Sequence, residues 1–370
     1  MLESLYTEAI NKKGSIIDKI KDYDNHNLDI SKFWNDEKIP KNDYNLTIAT
    51  GDGSKHEKKF LSFYFYAISA ESLIYNDKLS KIESSYINTM PHSEFAKDRI
   101  RNYMGLFEVK NALKAIKKYD VDYYLYDGSL LGDLIRPSPL EKKIPQSLRY
   151  DILDLAEDKI KKEIEDIGEH NVKVFSNELV YKNLKNKIES IQKVGNNKGF
   201  TLENVENYLE NIEKLLTLAN LLKYKNKLIA ISKTSTATDY FDINIPDIAI
   251  FDKYTNSQVT GYSYPPKYSH DKNNQLKREF PVENEFFKSL VFTIFYVRLE
   301  KNKNILKIEL PYKANEERIK EIIGIISKDC TDGYPYLLKK AHHDVVIKKN
   351  DIEQLSKIIG IYEKSGREML

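Results

Sequence analysis

The tripeptide Asp-Gly-Ser occurs twice, and each copy follows a short apolar run. Asn45 to Gly51 (NLTIATG) leads into Asp52-Gly53-Ser54, and Tyr123 to Tyr126 (YYLY) leads into Asp127-Gly128-Ser129. Runs of this length read as buried strands, so each Asp is expected at the C-terminal end of a strand. In an open α/β sheet that edge is where ligands collect. Glycine lets the backbone turn sharply there, and small neighbours leave room for an ion or a phosphate. A single Asp-Gly-Ser is an ordinary turn. Two at equivalent positions are either a pair of such turns or two carboxylates delivered to one edge of a mixed sheet.

The intervening and following segments define the expected architecture. Phe60 to Ser69 (FLSFYFYAIS), after a charged turn at KHEKK, is predicted to pair with the first strand as a hairpin. Ser93 to Lys118 is predicted to be helical, with Leu106, Val109, Leu113 and Ile116 on one face and Lys110, Lys114 and Lys117 opposite. Residues 1–43 read as a polar helical segment, and 44–140 as the first part of the core. Residues 141–226 are charged, Leu/Ile-spaced and nearly free of strand signal. Three amphipathic helices broken at GEHN and GNNKG are expected there, as an inserted helical arm. Residues 227–370 form the second part of the core. Strands are expected at Leu228–Ser232, Asp247–Phe251, Leu290–Leu299 and Ile305–Leu310, and helices near 315–328, 336–343 and 351–364. The expected fold is α/β, a mixed-sheet core with an inserted helical arm and C-terminal helices.

Composition narrows the function classes. With 41% hydrophobic and 31% charged residues, the chain is neither disordered nor a membrane bundle. Fifty-eight Lys and Arg against fifty-six Asp and Glu leave a net charge of +2, so any nucleic-acid surface must come from local segregation of charge. The single cysteine, Cys330, excludes an intrachain disulfide framework and a Cys-based zinc cluster, and fits a reducing cytosol. The longest strongly apolar stretch, Leu290 to Val297, is too short to span a bilayer as a helix, and the start of the chain lacks a signal-peptide pattern. A cytoplasmic protein without a membrane partner is expected.

Glu108 lies mid-helix, nineteen residues before Asp127. Met104, Gly105, Asn111 and Ala112 share its face, with Ala115 beyond, a small and largely uncharged strip that could face a closely packed sheet. An exposed Glu paired with a Lys is the ordinary alternative. If Asp52, Glu108 and Asp127 converged in a dry site, they would repel one another unless cations were bound. Hard divalent ions such as Mg²⁺ or Mn²⁺ take such oxygen ligands, and two ions together can activate water and stabilise the leaving oxygen of a phosphodiester. In the run TDGYPYLLKKAHHDVVI, Tyr334 precedes Pro335 and His342 follows eight residues on. His can bind metal or move a proton, and Tyr can hold a phosphate; packing is the alternative for both. Lys233, after the strand at Leu228–Ser232, is placed to neutralise a phosphate or is one surface lysine among many. Tyr262, Tyr264 and Tyr268 are candidates for base stacking or for sheet packing.

Taken in order, the early strand with DGS, the helical Glu, YLYDGSLLGDLIRP, SKTS after a strand and DGYPYLLKKAHHDV resemble the NurA nuclease family from about residue 45 to 350. The resemblance implies an RNase H-like core in a toroidal homodimer. It implies Mn²⁺-dependent (or Mg²⁺-dependent) 5′→3′ exonuclease action on single- and double-stranded DNA and endonuclease action on single strands, with two ions per site. Its implied partners are DNA, a HerA-type hexameric ATPase and the break-processing nuclease–ATPase complex of DNA end resection. Carried over by position, Asp52, Glu108 and Asp127 match the metal-binding carboxylates, Tyr334 and His342 the C-terminal pair, His342 as a further metal ligand, and Lys233 a basic position near DNA. Two other classes remain in view. A non-catalytic DNA-binding helicase adaptor would need no carboxylate trio. An actin-like or sugar-kinase phosphotransferase would use the same Asp-Gly turns, but the chain has no P-loop and only 14 Gly.

Overall fold

A ten-stranded mixed sheet organises the chain, seen in a computed structural model that describes residues 2–24, 28–39, 45–136, 144, 146–181, 185–186, 201–269, 276 and 278–361. After helix α1 (Glu3–Asp24) and a short strand β1 (Trp34–Asp36), three strands run antiparallel: β2 (Ile48–Lys59), β3 (Phe63–Asn76) and β4 (Lys78–Pro91). Helix α2 (Ala96–Lys118) then packs back across them. Strand β5 (Tyr123–Asp127) returns parallel to β2, and β6 (Leu228–Ser232) lies parallel to β5. Further strands β7 (Gly261–Ser263), β8 (Lys267–Tyr268), β9 (Thr293–Arg298) and β10 (Leu306–Leu310) extend the sheet antiparallel beyond β6. The order across it is β1-β7-β9-β10-β6-β5-β2-β3-β4, with β8 on β9.

The expected hairpin is a three-stranded meander. Strand β4 escaped the sequence pattern because it is an edge strand: only Ile82 and Met90 of its fourteen residues are buried. Asp77, at φ 54°, makes the tight reversal from β3 into β4. The charged KHEKK stretch, expected as a turn, continues β2 because its backbone pairs with β3 as far as Lys59. The strand expected at Asp247–Phe251 is a helix, α7 (Asp247–Tyr254). Pro246 starts it, the buried Asp247 carboxylate accepts the backbone N–H of Tyr240 at 2.9 Å, and Phe251 packs on Trp34, Tyr240 and Tyr296.

Between β5 and β6 run the helices α3 (Leu130–Ile135), α4 (Gln146–Glu165), α5 (Phe175–Leu179) and α6 (Leu202–Leu222). In these helices the inserted segment forms a layer over α2 and the sheet. Leu148, Ile152, Ile160, Leu209, Ile212 and Leu216 share one apolar cluster with Val109, Leu113, Tyr124 and Tyr126. The parallel crossover from β5 to β6 requires such a covering layer. The second expected helix of this region, ELVYKNLKNKIESIQKV, lies largely outside the described residues. Lys110, assigned by periodicity to a solvated face, is buried and pairs with the buried Glu213 of α6. Arg99 likewise donates to Glu206 and Glu210.

Toward the C-terminus come α8 (Asn284–Lys288), α9 (Glu316–Ser327), a small hairpin of β11 (Cys330–Thr331) and β12 (Tyr334–Pro335), then α10 (Tyr336–Val345) and α11 (Lys349–Ile359). The end of the helix expected at 351–364 lies outside the described residues. Helix α10 packs on β2 and β3, on the side of the sheet away from α2. Among the described residues no helix is long and apolar enough to cross a membrane.

Candidate active site

Register decides where the two Asp-Gly-Ser carboxylates go. The parallel pairing of β2 with β5 ends at Gly51 opposite Tyr126, so Asp52 and Asp127 follow side by side on neighbouring strands. Adjacent strands lie roughly 5 Å apart. Asp127 ends β5, as expected. Asp52 does not end its strand: β2 runs on to Lys59, held by β3 alone, and Asp52 stands where its parallel neighbour stops. Gly128, at φ 122°, turns the chain away after Asp127 and donates its N–H to the Ile231 carbonyl at 2.9 Å.

Glu108 comes up to β2 over Gly53, the residue next to Asp52, and lies within the electrostatic influence of Asp52. Alternation along β2 sends the Asp52 side chain toward α10 and turns the Gly53 position toward α2. A Cβ on Gly53 would lie 2.5 Å from Glu108 Oε1, so only the bare backbone admits this side chain. Burial, then the charges of Asp52 and Asp133, push the Glu108 carboxyl up to about 8, against an opposing contribution from Lys214. Burial and the neighbouring Asp127 also raise Asp52, opposed by hydrogen bonds from His342 and the Gly53 N–H. Burial leads both shifts, and neighbouring carboxylates add to each.

The C-terminal pair closes the site from the α10 side. Asp332 and Gly333, both at positive φ, form the two-residue turn that delivers Tyr334, whose hydroxyl donates to Asp127 Oδ1 at 3.1 Å. Pro335 starts α10, and two helical turns later His342 Nδ1 lies 2.6 Å from Asp52 Oδ2. The eight-residue step therefore spans the two adjacent carboxylates. Lys233, one residue past β6, donates to Asp127 Oδ2 at 3.2 Å and lies 4.3 Å from the Tyr334 ring centroid. Burial and Asp127 drive the Tyr334 hydroxyl far above its ordinary range, so it stays a donor.

Asp52, Glu108, Asp127, Lys233, Tyr334 and His342 thus fall in one region of the fold. Sequence reasoning passed over Asp133, which accepts from Tyr126 at 2.8 Å, meets Lys214 at 3.3 Å and adds to the field on Glu108. Its position, six residues after Asp127 and one helical turn into α3, was the available signal. Tyr262 is buried, with its hydroxyl on Glu37 and Glu316, and serves as packing.

The donor chemistry, carboxylate oxygens with one imidazole, suits a hard divalent ion. Among the described residues no three His, Cys, Asp or Glu side chains are drawn tightly enough, as they stand, to hold one. Asp52 is turned to His342 and the Gly53 N–H, and Asp127 to Tyr334 and Lys233. A cation held by these oxygens would have to displace such contacts.

The family described as "NurA domain" matches residues 46–347. A Methanocaldococcus jannaschii relative bearing the NurA name is 31% identical, over 98% of this chain and 89% of that protein. The DNA double-strand break repair nuclease NurA of Sulfurisphaera tokodaii is 28% identical, over 98% of this chain and 97% of that one. The crystal structure of the NurA nuclease from Sulfolobus solfataricus superposes with a TM-score of 0.71 at 21% identity, covering 97% of each chain. A crystal structure of NurA bound to dAMP and manganese superposes at 0.67 with 19% identity and full coverage of both chains. The shared fold is the RNase H-like one, with the meander, the covering helix and two parallel strands in the order β4-β3-β2-β5-β6.

Proposed function

The chain belongs to the NurA family, and on that premise we propose that it is a metal-dependent DNA nuclease that hydrolyses phosphodiester bonds at the Asp52–Glu108–Asp127 site. What supports this reading is the placement of these residues around one stretch of β2 and β5. Two carboxylates lie side by side on parallel strands, a third is admitted over Gly53, and His342 and Tyr334 each bond to one of the first two. A turn or a solvated helix needs none of this.

Asp52, Glu108 and Asp127 would hold the divalent cation, with manganese favoured by the metal named in the solved relative. When bound, the ion supplies an activated water and charge stabilisation at the phosphoryl oxygens. The chain's own groups do the rest. His342, tethered through Nδ1 to Asp52, presents its exposed ring for proton transfer. Tyr334 donates a hydrogen bond and the Lys233 ammonium beside it offers positive charge, a pair suited to orienting a phosphate. The carboxyl of Glu108 must shed its proton before it can bind a cation, which couples metal affinity to pH.

Finer features extend the same proposal: 5′→3′ exonuclease action on single- and double-stranded DNA, endonuclease action on single strands, two ions per site, Mg²⁺ as a substitute, a homodimer, and work beside a HerA-type hexameric ATPase and a break-processing nuclease–ATPase complex. The net charge of only +2 supports the motor partner. A free nuclease gains affinity from phosphate contacts, whereas a motor-fed one depends on them less. The test is degradation of DNA labelled at the 5′ or the 3′ end, in Mn²⁺ and in EDTA, by wild type and Asp52→Ala. Loss of cleavage in EDTA and in the variant supports the reading; cleavage by Asp52→Ala at the wild-type rate removes it.

A further inference from the structure

Strand β10 carries two charges into the interior. Leu306, Ile308 and Leu310 pack into the apolar cluster on the α9 side, so alternation sends Lys307 and Glu309 to the opposite face, toward α3. Both side chains are buried, with Lys307 Nζ 2.9 Å from Glu309 Oε1. Register places Glu309 opposite Ala230 of β6, and Ala230 opposite Tyr126 of β5. The small Ala230 side chain leaves the carboxylate room to cross β6 and reach the turn that follows Asp127. There Ser129 Oγ donates to Glu309 Oε1 at 2.7 Å, and the Leu131 N–H donates to Oε2 at 3.1 Å. The same Ser129 Oγ accepts the Gly132 N–H at 2.8 Å. Alternation along β5 sends Tyr126 to this face and the Asp127 carboxylate to the other, where it meets Tyr334.

We propose that Glu309, with Lys307 beside it, is a positioning residue for Asp127: it holds the Asp127–Ser129 turn from the far face of the sheet and so fixes where that carboxylate meets a divalent cation. The inference rests on the nuclease reading and adds a residue outside the carboxylate trio on which the trio depends. The Asp127 oxygens are held by Tyr334 and Lys233, and a cation bound there would displace those contacts. The carboxylate is then kept in place by its backbone. One anchor is the Gly128 N–H on the Ile231 carbonyl at 2.9 Å, and the others are the two bonds to Glu309. A carboxylate makes stronger hydrogen bonds than a neutral acceptor, and the Lys307 ammonium supplies the opposite charge that a buried carboxylate needs. A buried ion pair adds little stability over apolar side chains of the same volume, so packing alone does not account for this one.

The test reads Mn²⁺ binding to the full chain by calorimetry, without DNA. Wild type is compared with Ser129→Ala, Ser129→Thr, the double variant Lys307→Met/Glu309→Met and Asp127→Ala. Ser129→Ala and the double variant should each bind Mn²⁺ about tenfold more weakly than wild type, the scale on which loss of an outer hydrogen-bond partner weakens a metal site. Ser129→Thr keeps the hydroxyl and should bind like wild type. The double variant strands no charge, so in EDTA it should melt within a few degrees of wild type. Lost Mn²⁺ affinity at unchanged stability is a result that a packing role does not produce. The two Ser129 variants read the same link from a half-buried position and decide the question if the double variant does not fold. Wild-type affinity in Ser129→Ala or in the double variant, or Ser129→Thr as weak as Ser129→Ala, overturns the positioning role; if Asp127→Ala binds weakly in the same series, the nuclease reading stands. Wild-type affinity in Asp127→Ala removes that carboxylate from the metal centre, counts against the nuclease reading and takes this inference with it.

Discussion

His342 and Asp52 are 290 positions apart in the chain and meet at 2.6 Å, Nδ1 to Oδ2. The contact joins α10 to the middle of β2 and fixes the imidazole beside the proposed metal-holding carboxylates. Replacing His342 by Ala should leave the fold intact, since the ring is 60% exposed, and should lower the single-turnover cleavage rate about 10²–10⁴-fold, the usual range for a proton-transfer group. Rates within a few-fold of wild type would assign the ring to packing.

Gly53 offers a test of how Glu108 enters the site. An added methyl would meet the outer half of the Glu108 side chain, Oε1 at 2.5 Å, Cγ at 2.7 Å and Cδ at 3.0 Å. Gly53→Ala should therefore fold with a melting temperature within a few degrees of wild type while displacing the carboxylate. Half-saturation of cleavage by Mn²⁺ should rise about tenfold, the scale on which a misplaced coordination environment weakens metal binding. An unchanged metal dependence would detach Glu108 from the centre.

The raised Glu108 carboxyl also makes stability depend on pH. Its folded-state value, about 8, lies above the unfolded value, so the folded chain holds the extra proton between roughly pH 4.5 and 8. That contribution is fully present below the unfolded value and is lost as pH rises through about 8. Glu108→Gln cannot ionise. In EDTA it should melt higher than wild type at pH 9, and the difference should shrink at pH 5. Parallel melting curves at both pH values would contradict the burial of this group.

The candidate residues were legible in the sequence, some by local markers, such as Asp-Gly after an apolar strand and Tyr-Pro ahead of a helix, and the rest by their order along the chain. The faces and register were not. Nothing local says that β2 continues past Asp52, because its later hydrogen bonds are supplied by β3. The run at Asp247 alternates like a strand and becomes a helix because Pro246 starts it and its carboxylate caps a neighbouring turn. Lys110 looked solvated by periodicity, since its partner Glu213 lies more than a hundred residues away, as does Glu210 from the buried Arg99.

Those long-range pairs yield a prediction about stability alone. Arg99 is buried against Glu206 and Glu210, so Arg99→Met strands carboxylates in the interior and should cost about 3–5 kcal/mol in urea denaturation. Adding Glu210→Gln should recover part of that loss. Cleavage per folded molecule should stay near wild type in both. A loss in urea stability below about 1 kcal/mol would mean that water reaches the pair.

The central claim is that the three carboxylates act as one cation-dependent centre for cutting DNA. It is tested most directly by incubating end-labelled DNA with wild type and with Asp127→Ala, in Mn²⁺ and in EDTA. The account predicts shortened products only for wild type in Mn²⁺. Products from Asp127→Ala in Mn²⁺ at the wild-type rate, or from wild type in EDTA, would contradict it.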